Sequence, residues 1–372
     1  MNKKLIWPIV GVVVILVVIV LATKNSSTPA SNNPIKIGAV LSLSGDAAPW
    51  GEYGKNGIDL AVKQINAAGG INSRPVQVVI EDDHTDGKQG VSAWNKLTIV
   101  DHVQGIIGGV FDFTAQPLIP LALNNQTPFI SPSNFRIVGG FDLNRQSFVM
   151  LTDFNKTILK LQPYISNSNI KKLAVVHFNS TFGGEISKTL DGVMKDLGRG
   201  DVIDTPYNQI GNNDFKTTII KLKSEGVDAV FLDVVANDPL IFLTQAKQLG
   251  FTPTIMTYNG ALDAFVNETD KSQLNNVVIL NWEITPQQFT DMYQKEYGIA
   301  PAKSADKYFD AVYVMANALA NVSNPSQAAS YMASNSLSTP NGTITFTSDH
   351  AVSDSLVEVQ VMKNGILVPW QK

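Results

Sequence analysis

From Ile35 onward, short apolar runs alternate with amphipathic stretches over most of the chain, the pattern of parallel sheets covered by helices. Ile35 to Leu43 reads as a strand, Tyr53 to Ala67 as a helix closed by Gly69-Gly70, and Val76 to Ile80 as a second strand. Ile58, Ala61, Val62 and Ile65 give that helix one apolar face. Gln89 to Val100 and Thr114 to Asn124 read as helices, with strands at Gly105 to Gly108 and Pro128 to Ile130. Phe148 to Met150 leads into a helix near Lys156 to Tyr164. A second series opens with a strand at Leu173 to His177, a helix at Gly184 to Leu197 and a strand near Val202. It continues with a helix at Phe215 to Ser224, a strand at Ala229 to Val234, a helix at Pro239 to Leu249 and a strand at Thr254 to Met256. After Val277 to Leu280 come helices at Gln287 to Tyr297, Ala305 to Asn321 and near Gln327 to Ala333, then strands at Gly342 to Phe346 and Val357 to Met362. Each series reads as a doubly wound sheet with a crevice at the carboxyl ends of its strands, and two such sheets facing each other make a cleft.

The amino-terminal stretch has a different pattern. Leu5 to Ala22 is eighteen consecutive uncharged residues between Lys3-Lys4 and Lys24, about 27 Å of helix at ~1.5 Å per residue. That length favours an uncleaved transmembrane helix over a signal peptide, although Val20-Leu21-Ala22 would serve as a small-residue cleavage site. The stretch up to Pro34 is rich in Asn, Ser, Thr and Pro and reads as a flexible tether, so residues 1–33 are expected to anchor a domain held outside the cytoplasm, periplasmic or extracellular.

Charge and composition narrow the function. The 372 residues carry 28 Lys+Arg against 32 Asp+Glu, a net charge of −4, with no basic surplus for a nucleic-acid backbone. The absence of cysteine removes disulfides, thiolate metal sites, thiol nucleophiles and lipid-modified cysteine together. The four histidines form no paired-histidine helix motif, and there is no phosphate-binding loop, dinucleotide fingerprint or nucleophile elbow. No enzyme, cofactor or metal is therefore expected. His177 ends an apolar run and reads as a structural hydrogen-bonding residue. Asp82, His84, Asp86 and Gly87 loosely match a calcium loop, but its twelfth position is Ala93, so these carboxylates read as caps of the next helix. Gly108-Gly109 suits close backbone approach to a ligand or a neighbouring loop. Asn155, Asn179 and Asn341 each open an N-x-Ser/Thr acceptor pattern.

Ile37-Gly38-Ala39-Val40-Leu41-Ser42-Leu43-Ser44-Gly45, Tyr53-Gly54, Ile65-Asn66-Ala67-Ala68-Gly69-Gly70-Ile71 and Glu81-Asp82-Asp83 resemble the opening of the Leu/Ile/Val-binding protein family, the solute receptors of branched-chain amino-acid ABC importers. Weaker matches follow in the family's order, among them Pro128-Phe129-Ile130-Ser131-Pro132, Phe182-Gly183, Gln245-Ala246-Lys247-Gln248-Leu249-Gly250 and Tyr308-Phe309-Asp310-Ala311. The resemblance implies a type I periplasmic-binding-protein fold: two Rossmann-like lobes, residues 34–154 with 283–347 and residues 155–282 with 348–372, joined by three crossovers near residues 154, 282 and 348. It implies a monomer that closes on a small solute and is read by an ABC permease. A membrane-tethered sensor acting through another partner is the alternative.

The same resemblance marks departures. Asp112 falls where the family has a carboxylate-binding serine, Phe135 where it has a threonine, Phe182 and Val235 at tyrosine positions, Trp50 at another aromatic position, and Asn259 where an ammonium-binding glutamate is expected. Phe111, Ser133 and Asn134 lie in the same two loops. Asp112 would repel a bound carboxylate; it either caps a helix or fills the anionic site itself, held by the first N–H groups of the helix beginning near Thr114. The expected pocket is apolar and aromatic, for a neutral or cationic solute such as an amide, an amine or a modified amino acid.

Overall fold

In the computed structural model, residues 33–132, 134, 144–209, 211, 213–234, 237–266, 268, 270–282, 284–302, 304–353 and 357–371 are described. The expected transmembrane helix at Leu5 to Ala22, with Ser133, Phe135 and Val235, lies outside them. Among the described residues, no helix is long and apolar enough to cross a membrane.

Strands β1 (Ile35–Leu41), β2 (Val76–Asp82), β3 (Gly105–Gly108), β4 (Phe129–Ser131) and β5 (Ser147–Val149) form a parallel sheet in the order β2-β1-β3-β4-β5. A second sheet takes β6 (Leu173–Phe178), β7 (Ile203–Tyr207), β8 (Ala229–Asp233), β9 (Thr254–Tyr258) and β10 (Val278–Asn281). A small antiparallel hairpin, β11 (Leu337–Thr339) and β12 (Gly342–Ile344), stands apart. The second sheet is completed by antiparallel β13 (Glu358–Lys363) and β14 (Ile366–Pro369), giving the order β14-β13-β10-β9-β8-β6-β7. After β5 the chain passes from the first sheet to the second, after β10 it returns to helices packed on the first, and after β12 it passes to the second again.

Alternation along the central strands explains their burial on both faces. On β1, Ile35, Ile37, Ala39 and Leu41 join a core with Ile58, Ala61, Ile65 and Phe309, while Val40 points the other way to Trp94 and Leu97. On β6, Ala174 and Val176 meet Ile219 and Phe242, and Leu173 and Val175 belong to the cluster of Val40 and Trp94. That last cluster also takes in Phe154, Tyr258 and Trp282, so one apolar core reaches from the first sheet to the second.

Several expected boundaries move, each for a local reason. The first helix runs Ala48–Ala67, five residues earlier than expected; Pro49 in its first turn lacks an N–H that would be unused there anyway, and three glycines pack against neighbours. The expected helix Thr114 to Asn124 is two, Asp112–Ala115 and Leu118–Asn125, broken at Pro117, which cannot donate the next helical bond. The helix expected near Lys156 to Tyr164 is Phe154–Ile158 and Gln162–Asn167, divided by a tighter turn next to Pro163. Strand β14 was not expected, yet its left-handed Asn364-Gly365 turn (φ 52° and 78°) is the two-residue signal of a hairpin.

The acidic run closing β2 has structural partners. Asp82 accepts from the Leu43, Ser44 and His84 N–H groups, Asp83 from Ser42 Oγ and the Thr85 N–H, and Asp86 from the Lys88 and Gln89 N–H groups at the start of helix Gly87–Asn95. Asp86→Ala is expected to cost about 1 kcal/mol. A urea titration checks this, and an unchanged midpoint would show that the cap contributes nothing.

Candidate functional site

The carboxyl ends of both sheets point toward one another, and loops from each side meet there. After β3, Gly109 holds φ +75°, and a side chain on it would come within 2.4 Å of Ala115 Cβ, so its glycine serves close approach to the next helix. Thr114 Oγ1 accepts the Phe111 N–H at 3.1 Å and donates to the Phe111 carbonyl at 3.0 Å, fixing the turn that presents Phe111 and Asp112. Asn134, buried, braces this loop from β4: its Nδ2 donates to Gly109 O at 2.7 Å and to Ser131 Oγ at 2.9 Å.

Asp112 is the first residue of its short helix, with Phe111 in the capping position, so the expectation of a helix beginning near Thr114 is corrected. Its carboxylate crosses to the other side. Asp112 Oδ2 accepts the Phe182 N–H at 3.0 Å, in the first turn of helix Thr181–Asp196. Ser180 is the cap of that helix, accepting the Gly183 N–H at 3.2 Å. Asp112 is only 7% exposed. Burial pushes its carboxyl above the usual range, and bonds from the Phe182 N–H, the Phe113 N–H and Ser180 draw it part of the way back.

A second acid stands beside the same turn. Asp233, at the end of β8, is 3% exposed and accepts the Tyr258 hydroxyl at 2.8 Å through Oδ1. A Cβ on Gly183 would lie 2.9 Å from Asp233 Oδ2 and 2.4 Å from His177 Nδ1, so a glycine is required between them. Burial pushes Asp233 up to about 7; the Tyr258 hydrogen bond and His177 oppose the shift, and Asp112 adds to it. His177 is structural as expected, its Nε2 2.9 Å from Asp204 Oδ1 and its Nδ1 2.7 Å from the Phe178 carbonyl.

Aromatic rings surround these groups. Trp50 meets Phe111 edge-on at 5.8 Å, Phe111 stacks on Phe113 at 5.4 Å, and Phe113 reaches Phe178 of the second sheet at 5.9 Å. Phe182 packs on Phe154, Tyr258 and Trp282, and Tyr258 stacks on Trp282 at 4.5 Å. The structure thus joins Trp50 with Phe111 and Asp112 with Phe182. Asn259 is buried in the turn directly after β9, next to Tyr258. Asp233, Phe113, Phe178, Tyr258 and Trp282 were missed by the sequence reading. Asp233 had a signal, an acid closing the apolar run Ala229-Val230-Phe231-Leu232 at a strand's carboxyl end. Among the described residues, no group of His, Cys, Asp or Glu could hold a metal ion.

Two doubly wound sheets with a polar, aromatic-walled meeting place at their carboxyl ends define a two-lobed solute-binding protein. Residues 34–365 match the periplasmic binding protein family, and the chain belongs to it: a solute-binding component of transport, not an enzyme. It is 26% identical over 306 residues to Leu/Ile/Val-binding protein homolog 7 of Brucella abortus (strain 2308), covering 76% of this chain and 75% of that one. It is 24% identical over 334 residues to the Leu/Ile/Val-binding protein of Escherichia coli (strain K12), covering 86% and 88%. The solved LivJ of Streptococcus pneumoniae in complex with isoleucine is similar in fold, with a TM-score of 0.77, 24% identity, and 90% of this chain and 98% of that chain covered. So is an ABC-transporter solute-binding protein of R. palustris in complex with benzoate, with a TM-score of 0.76, 18% identity, and 91% and 95% covered.

Proposed function

We propose that this chain captures a small neutral or cationic solute between lobes formed by residues 34–154 with 283–347 and 155–282 with 348–372, and delivers it to an ABC importer. Relatives named for leucine, isoleucine and valine, and similar folds holding isoleucine or benzoate, support a small-molecule receptor of this kind. The observation that carries the altered specificity is the buried Asp112 carboxylate on the Phe182 N–H. An incoming carboxylate would meet this charge in surroundings that screen poorly. An ammonium or a carboxamide would meet acceptors instead. The apolar stretch Leu5 to Ala22 supports a membrane tether that keeps the receptor near its permease at high effective concentration.

A thermal-shift screen of amino acids, amides, amines and short peptides tests this reading. A solute at a hundred times its dissociation constant stabilises by about 2.7 kcal/mol, well within detection. An amide or amine is expected to raise the melting temperature while isoleucine leaves it unchanged. A shift with isoleucine would restore the branched-chain specificity of the resembling family and remove the reading of Asp112.

A further inference from the structure

The start of helix Thr181–Asp196 offers what an anionic group needs: an N–H from its first turn, the positive end of a sixteen-residue helix, and a capping hydroxyl. That place is already taken, and by the protein. Asp112 comes from the loop after β3, seventy residues away along the chain, and is more than nine-tenths buried with Oδ2 on the Phe182 N–H. The turn carrying it is fixed by Thr114 and Phe111, and the rings of Phe113 against Phe178 and Phe154 against Phe182 flank the contact. This bond is a buried polar link between the loop after β3 and the helix start on the other side.

We infer that Asp112 is a built-in ligand: its carboxylate stands on the Phe182 N–H in place of a solute's carboxylate, latches the lobes together, and shuts carboxylate solutes out. The inference rests on the reading of the cleft as the solute site. It deepens that reading by naming the atoms that set specificity. Charge-assisted hydrogen bonds are shorter and stronger than neutral ones, and this one is shielded from water. A solute must then gain its affinity from the aromatic walls and from acceptors, because the Phe182 N–H is already engaged.

The chain has no cysteine, so cysteines introduced at exposed Lys88 and Lys188, one on each side, take spin labels without competition. Inter-label distances are measured by pulsed electron resonance on the full chain, without solute, with and without sodium acetate, and with sodium chloride at equal ionic strength. The Asp112 chain should show one short distance, indifferent to both salts. Asp112→Gly should shift the distribution to longer separations, and acetate, which replaces the deleted CH₂–COO⁻ group, should restore the short distance saturably while chloride does not. Losing one buried charged hydrogen bond corresponds to roughly a tenfold to hundredfold change in the closing equilibrium. Asp112→Asn keeps the shape and one acceptor but not the charge, and should be partly open, with faster hydrogen exchange at the Phe182 amide. It carries the test if the glycine variant does not fold.

An Asp112→Gly chain that keeps the short distance without acetate, or opens and ignores acetate, overturns the latch. So does an Asp112→Asn chain with unchanged distance and unchanged Phe182 exchange. The solute reading fails separately: if acetate closes Asp112→Gly but no neutral or cationic solute stabilises the Asp112 chain, the latch stands and the proposed specificity falls. If such solutes bind while Asp112→Gly behaves like the parent, the specificity stands and the latch falls.

Discussion

As pH rises from about 4 to about 7 the chain becomes easier to unfold, with a falling urea midpoint, and Asp233→Asn and Asp310→Asn each flatten the fall. Both carboxyls are deeply buried and pushed up to about 7, chiefly by desolvation. The unfolded chain ionises them near the ordinary 3.8, so between the two values the native state holds more protons than the unfolded state and stability must decline with pH. The favourable term is complete below the unfolded value and is lost as pH climbs through the folded one. Each group contributes on the order of 2–4 kcal/mol to the total decline over this range. Asp112 and Asp83, also raised by burial, act in the same direction. Asp82, Asp191 and Asp270 are lowered, so their contribution is lost only in stronger acid and does not mask the effect. Asparagine keeps an oxygen for the Tyr258 hydroxyl at position 233 and for the Asn341 amide at position 310, so shape is retained while the titration is removed. Urea titrations at several pH values decide it: a midpoint that stays level or climbs over this range would show that neither acid is held neutral by the fold.

Gly57→Ala is expected to destabilise the chain by about 3 kcal/mol, near the upper end for one extra methyl in a packed interior. Helix Ala48–Ala67 lies so close to helix Ala305–Ala320 that a Cβ on Gly57 would stand 2.1 Å from the Ala305 carbonyl oxygen. The obstacle is backbone, which cannot rotate aside as a side chain could, so the two helices must move apart and open the core shared by Ile58, Ala61, Phe309 and Val312. Gly184→Ala is the matched control. It sits in helix Thr181–Asp196 with nothing within 4 Å of its added carbon, and alanine there should leave stability unchanged or raise it by about 0.5–1 kcal/mol. Equal urea midpoints for the two variants would refute the close helix approach.

Much of this architecture was readable from periodicity. The Ile35 and Leu173 runs, the amphipathic Ala305 helix and the alternation between them are consequences of burying strands on both faces, and local sequence carries that information. What local pattern misses is set by neighbours far along the chain. The first helix packs Gly54 against Tyr308 and Gly57 against the Ala305 carbonyl, partners far along the chain that its own sequence does not announce. Asp112 was recognised as an anomaly in a carboxylate site, but the expected donors were its own helix; the observed one, the Phe182 N–H, depends on the angle between two sheets, which no window of residues encodes. Asp233 was passed over because an acid at a strand end is ordinary until Tyr258, Gly183 and Asp112 are seen around it.

The strand order also governs how the protein comes into being. The core of the first sheet is closed by helix Ala305–Ala320, and the edge of the second by β13 and β14, drawn from the end of the chain. Neither half can complete its core while its amino-terminal portion alone has left the ribosome, because each waits for a segment translated after the other half. A polypeptide interrupted before residue 305 therefore contains no finished lobe at all. Such a fragment leaves strand edges and apolar faces uncovered, the surfaces on which incomplete chains aggregate.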